Sequence, residues 1–533
     1  MMRWKLDLSE YELPQLLKGL KPFTLQQERR ESVRYQLQDS FDWALWRRGE
    51  LLLYRLTNGK EYQLYDASQF PTVAPNLIYK SRKQLNFFYA DFSDEVGVES
   101  SSTKQLSEKL KRAIKLRALL PLHKFTLERI RFAVKNRDDK SVAWLEMITI
   151  KSTDLESNSV SKSMLQLLPV RGYDSELIKV EKVIRKTGLE PRHGSLLGSN
   201  LLVSGVVPMQ YQAKPDVVIK PSEETREVVL HYVKALFKVV RENEEGILAD
   251  LDIEFLHDYR VSLRRIRSIL TLVRKVFSVE ESRWLKQQFK MLAKRTNALR
   301  DLDVYLLERK SYSALLPSTL SMGIDALFES LAKKRRREVN RVKRWLRSAD
   351  YMQIVEAIEQ RLDGEAELLG VGLRSERPVL AVAQQELSRH FHKVGKLGEV
   401  IDDTTPDDEV HDLRLECKQL RYLLEFFGVL FPKKMESKAI ATLKKLQDNL
   451  GRFNDLSVQQ ESLEHTLQSE MRAKQQASPE LLAALGGLIG ALNLEQREER
   501  ALVSASFSHF YTEQTIKLYR KMVGGAKEGG SKY

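Results

Sequence analysis

The sequence predicts an α+β N-terminal domain followed by an all-α domain, and three observations predict it. The hydrophobic period changes near Ser222: short alternating runs broken by turn residues precede it, and helical recurrence follows to about Met522. Residues 194–221, GSLLGSNLLVSGVVPMQYQAKPDVVIKP, are Gly- and Pro-punctuated and read as linker or docking strand. The helical part also repeats itself. HDYRVSLRRIRSILTLVRKVF at 257–277 returns as HDLRLECKQLRYLLEFFGVLF at 411–431, an offset of 154 residues (411 − 257). Asp301-Leu302 returns at the same offset as Asp455-Leu456. The expected boundaries are therefore 1–200 for the first domain, 201–221 for the linker and 222–522 for the helical domain. Its repeats cover about 222–370 and 378–522, and residues 523–533 form a disordered tail.

In the first domain, Glu50–Leu56, Asn58-Gly59 and Glu61–Tyr65 read as strand, turn, strand. Lys104–Leu119 reads as a basic helix ending before Pro121. Ile130–Val134 and Val142–Ile150 pair across the polar turn Asn136–Lys140. Asp174–Lys186 is a further helix, stopped by Gly188. Ser222-Glu223-Glu224-Thr225, after Pro221, begins the first helix of the second domain.

The repeated helix separates two faces. With His257 at 0°, Arg260, Arg264 and Arg267 fall at about 300°, 340° and 280°, at ~100° per residue. Leu263, Ile266, Ile269, Leu270 and Val273 occupy the opposite side. The second copy matches: His411, Arg414, Lys418 and Arg421 form its stripe, and Leu413, Cys417, Leu420, Leu423, Leu424 and Phe427 its apolar face. A solvated face normally mixes signs and gains from i,i+4 acid–base pairs. Neither stripe carries an acid among its four positions, so like charges cluster at a cost that an anion would relieve. Two copies at one offset favour a site for a long anion. The histidines can equally serve as hydrogen-bonding core residues, or add charge as pH falls toward 6. No His-x3-His or His-Glu-x-x-His spacing supports a metal, and no cofactor is expected. Cys417 replaces Leu263 of the first copy and reads as core filler. Asp301 and Asp455 either cap a helix or orient nearby arginines.

A basic run, Lys333-Lys334-Arg335-Arg336-Arg337 with Arg341, Lys343, Arg344 and Arg347, lies between the copies. Arg337, Arg341 and Arg344 share a face and join the candidate ligand residues.

A net charge of +14 favours polyanionic partners, and 42% hydrophobic with 30% charged residues is a globular balance. The lone cysteine forms no internal disulfide, which fits a reducing compartment. No secretory apolar region opens the chain, and LLAALGGLIGALNL (481–494) is too short and Gly-rich to span a bilayer. The expected location is cytoplasmic.

LHDYRVSLRRIR with ALRDLDV, and VHDLRLECKQLRYLLEFF with LQDNLGRFNDLSV, resemble the CHAD family, the conserved histidine α-helical domain, over roughly residues 220–520. The resemblance implies two four-helix bundles related by a pseudo-two-fold, a basic central channel, and inorganic polyphosphate as partner, with polyphosphate granules as a candidate location. At matched positions it carries over His257, Arg260, Arg264, Arg267, His411, Arg414, Lys418 and Arg421. WKLDLSEYELPQLL, DSFDWALWRRGELLLYRL, LERIRFAVKNRDDKSVAWLEM and VRGYDSELIKV are similar to a CYTH domain, which implies a triphosphate-tunnel β-barrel. That family opens on Glu-x-Glu-x-Lys, whose carboxylates hold a catalytic metal. Here Met1 and Arg3 stand at the two Glu positions, and Ser163–Leu168 carries no carboxylate. The first domain is therefore expected to be a degenerate tunnel without catalysis, retaining Arg55, Arg129 and Arg131 from the phosphate-binding set.

The leading expectation is a non-catalytic polyphosphate binder. The alternatives are a metal-dependent triphosphatase or polyphosphatase in the first domain, and nucleic-acid binding. The stripes offer little aromatic surface for base stacking, Tyr422 being the one aromatic beside them.

Overall fold

A computed structural model describes residues 2–6, 20–56, 61–68, 70, 77–80, 101–152, 160–186, 195–364, 369–472 and 478–524. The Asn58-Gly59 turn, the Gly188 stop and the tail beyond residue 524 lie outside the described residues. Contacts divide the chain into two compact units, Met1–Gln212 and Ala213–Tyr533.

The first unit is built on strands β1 (Met2–Leu6), β2 (Thr24–Asp39), β3 (Glu50–Arg55), β4 (Glu61–Asp66), β5 (Leu77–Lys80), β6 (Leu120–Lys135), β7 (Ser141–Ser152) and β8 (Ser161–Pro169). They form one sheet in the order β1-β8-β7-β6-β2-β3-β4-β5, and every neighbouring pair is antiparallel. Among the described residues three helices accompany it: α1 (Ser101–Ile114), α2 (Asp174–Lys186) and α3 (Leu196–Val203). Strand alternation sends side chains to two faces. Leu51, Leu53, Phe125, Leu127, Ile148 and Ile150 pack with Leu196, Leu197 and Leu201 of α3. On the other face, Leu52, Tyr54, Tyr62 and Leu64 pack against Leu110 and Ile114 of α1. Ile130, Phe132, Leu145 and Leu165 pack against Val180 and Ile184 of α2.

The β6–β7 turn forms at Asn136–Lys140, where Asn136 Oδ1 accepts from the backbone N–H of Asp138 and of Lys140, both at 3.0 Å. The helix expected over Lys104–Leu119 ends earlier, at Ile114, because Lys115 turns the chain left-handed at φ 55°. Leu120 then already belongs to β6. The Gly- and Pro-punctuated stretch 194–221 is divided: α3 packs on β7 and β8, and the chain crosses into the second unit at Ala213.

The second unit's described residues hold α4 (Thr225–Glu242), α5 (Glu244–Ala249), α6 (Ile253–Leu272), α7 (Val279–Arg295), α8 (Asn297–Leu307), α9 (Arg309–Leu315), α10 (Ser321–Leu346) and α11 (Ala349–Asp363). There follow α12 (Val379–Gly398), α13 (Asp407–Phe427), α14 (Lys433–Arg472), α15 (Pro479–Ala501), α16 (Val503–Phe510) and α17 (Glu513–Met522). The repeat is carried by the helix starts themselves. Thr225, Ile253, Val279 and Ala349 begin helices, and Val379, Asp407, Lys433 and Val503 begin theirs at the same offset of 154 (379 − 225). Glu224 and Pro378, also equivalent residues (378 − 224 = 154), form an isolated antiparallel bridge. The equivalent helices α6 and α13 pack on each other.

One difference between the repeats lies in the helix that begins at Val279 in the first and Lys433 in the second. The second runs through α14 as a single helix of 40 residues, whereas the first breaks at Thr296 and again at Glu308. Thr296 is fully buried, and its Oγ1 donates to Ala293 O at 3.0 Å, a local bond that competes with helix continuation. No helix among the described residues is long and apolar enough to cross a membrane.

Candidate functional site

α6 and α13 hold the stripes in place through their caps and their buried faces. Asp252 Oδ1 accepts from the N–H groups of Glu254 (2.9 Å) and Phe255 (3.2 Å), starting α6. Asp407, Asp408 and Glu409 occupy the first turn of α13, complementing its dipole. Leu263, Ile266, Ile269, Leu270 and Val273 are buried, as are Leu413, Cys417, Leu420, Leu423, Leu424 and Phe427. Burial pushes the Cys417 thiol pKa up, so it is held protonated in the core.

With the apolar faces committed, part of each stripe turns into one cavity of about 330 Å³. Arg264 from α6, Arg414, Lys418 and Arg421 from α13, and Lys444 from α14 line it, with Tyr422, Gln447, Glu425 and Asp448. Five cations therefore face two carboxylates, and one of these, Glu425, already accepts from Arg421 Nε at 2.7 Å.

The electrostatics show that the equivalent positions Arg264 and Lys418 converge. The Lys418 pKa is lowered to about 8, by burial first and then by the positive charges of Arg414 and Arg264, with Asp455 opposing. Arg414 is also lowered, first by burial, with Asp455 opposing at 3.8 Å. Its Nε is buried without a hydrogen-bond partner. A cation that is desolvated, crowded by its own sign and short of acceptors is poised for an anion.

Other expected residues are placed differently. Arg260 Nη1 donates to Ala293 O (2.9 Å), Thr296 Oγ1 (2.9 Å) and Asn297 Oδ1 (2.8 Å), clasping the break between α7 and α8. His411 is exposed and its Nδ1 lies 3.0 Å from Asn454 Oδ1. His257, Arg260, Arg267 and His411 are not among the cavity's lining residues. Asp301 and Asp455 lie within their helices and act on the arginines: Asp301 on Arg260, Asp455 on Arg414. Arg337, Arg341 and Arg344 are exposed on α10, which packs on α5, α8, α9, α11 and α15. Arg335 of the same run turns inward and binds Asp303 (2.7 Å) and Asp250 (2.8 Å).

Sequence reasoning missed Lys444. A usable signal existed, because Lys290 stands at its equivalent position (444 − 290 = 154). In the first unit, Arg131 Nε donates to the buried Glu146 at 2.8 Å and Arg55 pairs with the buried Glu61 at 3.1 Å.

Residues 231–464 match the CHAD domain family. This stretch is a CHAD domain. The cavity-lining residues from Arg264 to Gly451 all fall within it. Two Mycobacterium tuberculosis proteins, the uncharacterized proteins MT2285 and Rv2226, are each 26% identical over 221 residues, covering 41% of this chain. The chain spans about two fifths (41%) of the length of these curated relatives. Among solved structures, the CHAD domain from the plant Ricinus communis is 22% identical with a TM-score of 0.45, covering 55% of this chain and 95% of that one. PptA from Streptomyces chartreusis is 16% identical with a TM-score of 0.41, covering 55% and 99%.

The depressed Lys418 pKa makes stability pH-dependent with a defined sign. Between about 8 and 10.5 the unfolded chain keeps the Lys418 proton that the CHAD domain releases, so stability rises with pH in that window. Denaturant unfolding at intervals from pH 7 to 10 checks this. The difference between the wild type and Lys418→Met is expected to grow in the wild type's favour through that window. A flat difference refutes the assignment.

Proposed function

We propose that this protein binds inorganic polyphosphate without chemical turnover, and that the basic cavity of the CHAD domain holds the chain. The single observation that carries this reading is the convergence of Arg264 from one repeat with Arg414, Lys418 and Arg421 from the other around one cavity. Arginine forks grip two phosphate oxygens at once, and Lys418 supplies a point charge. An unbranched phosphate polymer brings one negative charge per repeating unit without bases to stack, which suits a cavity whose one aromatic is Tyr422. Nucleic acid is the poorer fit for the same reason. The geometry implied by the family, two four-helix bundles about a central channel, agrees with the α6–α13 packing.

We read the first unit as a degenerate triphosphate tunnel. Arg131 and Arg55 are neutralised by Glu146 and Glu61, and the Glu-x-Glu-x-Lys opening is missing from the sequence. Mg²⁺ catalysis leans on carboxylates that are free to coordinate. The expected result is no phosphate release from tripolyphosphate or long-chain polyphosphate with added Mg²⁺ or Mn²⁺, while calorimetric titration shows binding. Metal-dependent release above the protein-free rate overturns the non-catalytic reading. Binding that does not weaken as salt rises overturns the electrostatic one.

A further inference from the structure

We propose that the exposed face of α10 is a second polyanion track, separate from the cavity, which engages the part of a long polyphosphate chain that the cavity does not hold. The proposal rests on the polyphosphate reading above and adds to it a dependence on chain length.

From Ser330 to its C-cap Arg347 the segment carries nine Lys or Arg residues and one acid, Glu338. Val339, Val342 and Leu346 are buried and fix its inner side. Arg335 projects to that side, which explains its pairing with Asp250 and Asp303. Lys333, Arg336, Arg337, Arg341, Arg344 and Arg347 are exposed. At ~100° per residue they share an arc of about 140°, and at 1.5 Å per residue they extend about 21 Å along the helix. The acids leave most of this charge uncompensated: Glu338 pairs with Arg341 at 3.0 Å and Glu329 approaches Lys333 at 3.9 Å.

The repeat supplies the control that a lone helix lacks. The equivalent helix is α15, and α10 packs on it. At the offset of 154 (487 − 333), Lys333, Arg337, Arg341 and Arg344 correspond to Gly487, Ala491, Glu495 and Glu498. The shared packing role of these helices therefore does not require a basic outer face. The cavity cations, in contrast, are basic in both copies. The track was added to one repeat alone. It is fed by different elements as well, because the cavity is lined from α6, α13 and α14 and by no residue of α10.

The test uses the full chain with Lys333→Gln, Arg337→Gln, Arg341→Gln and Arg344→Gln combined, titrated with tripolyphosphate and with long-chain polyphosphate. All four positions are exposed, and an unchanged melting temperature confirms folding. Long-chain affinity is expected to fall about 10-fold or more at low salt, and the log–log salt slope to flatten by about 3, at ~0.7 per contact for a single strand. Tripolyphosphate affinity is expected to stay within about twofold. Unchanged long-chain binding, or equal losses for both ligands, overturns the track while leaving the cavity reading intact. A wild type that binds neither ligand sinks both. Loss of homopolymeric RNA binding with long-chain polyphosphate binding retained assigns the face to nucleic acid and overturns the proposal.

Discussion

Replacing Arg264, Arg414 and Lys418 together with glutamine is expected to lower tripolyphosphate affinity about 100-fold or more, each charge-assisted hydrogen bond being worth roughly 1.5–3 kcal/mol. Three such contacts at the lower bound sum to more than the 2.7 kcal/mol that about 100-fold represents. Part of the gain is offset by the water that each cation gives up. Titration calorimetry across a salt series measures both consequences, since the salt slope is also expected to flatten by about 2. Folding is not expected to suffer. The three cations repel one another in the free protein, where burial and then the charges of Arg414 and Arg264 hold the Lys418 pKa down, so their removal relieves strain. Affinity unchanged in the triple variant would mean that the cavity is not the binding site. Arg260→Gln serves as a contrast: its Nη1 is spent on Ala293, Thr296 and Asn297, so it is expected to lower stability more than affinity.

Arg335→Met is expected to behave in the opposite way, costing about 3 kcal/mol of stability and leaving phosphate binding unchanged. Arg335 Nε donates to Asp303 Oδ1 at 2.7 Å, while Nη1 and Nη2 donate to the two oxygens of Asp250 at 3.0 and 2.8 Å. The Asp303 side chain is 1% exposed, and burial already raises its pKa against the pull of Arg335. Without the guanidinium, a buried carboxylate loses its counter-charge and must protonate or distort its surroundings. Asp250 also ends α5 in a left-handed conformation at φ 55°, so the same pairing steadies the approach to α6. Urea unfolding reads the loss, and a variant as stable as wild type refutes it. Replacing Asp250, Asp303 and Arg335 together by apolar residues of similar volume is expected to recover much of the loss, because breaking a buried pair costs more than removing it whole.

Most of the helical fold is legible in the sequence alone. The residues read as the apolar face of each repeated segment are buried, and the helix starts keep the offset that the HD-x-R tetrapeptides announce. Helical periodicity is a local property, so it can be read from neighbours in sequence. The β6–β7 hairpin was legible for the same reason, through Asn136 and its turn bonds. The α1 terminus was not. The break depends on Lys115 adopting a left-handed conformation that its residue type does not advertise.

The candidate site divides along the same line. By itself the sequence determined that two basic stripes exist, that they match position for position, and that each lies beside a core face. Helix geometry sets those angles about each axis without reference to any other element. Only the tertiary structure decided which cations meet. Arg264, Arg414, Lys418 and Arg421 converge with Lys444 because α6 packs on α13 and α13 on α14. Arg260 is drawn to the broken helix, Arg335 to two aspartates, and Arg337, Arg341 and Arg344 are left in solvent on another face. The physical reason is that a helix's period gives a side chain a direction about its own axis, whereas the charge that it faces depends on which helix is packed there.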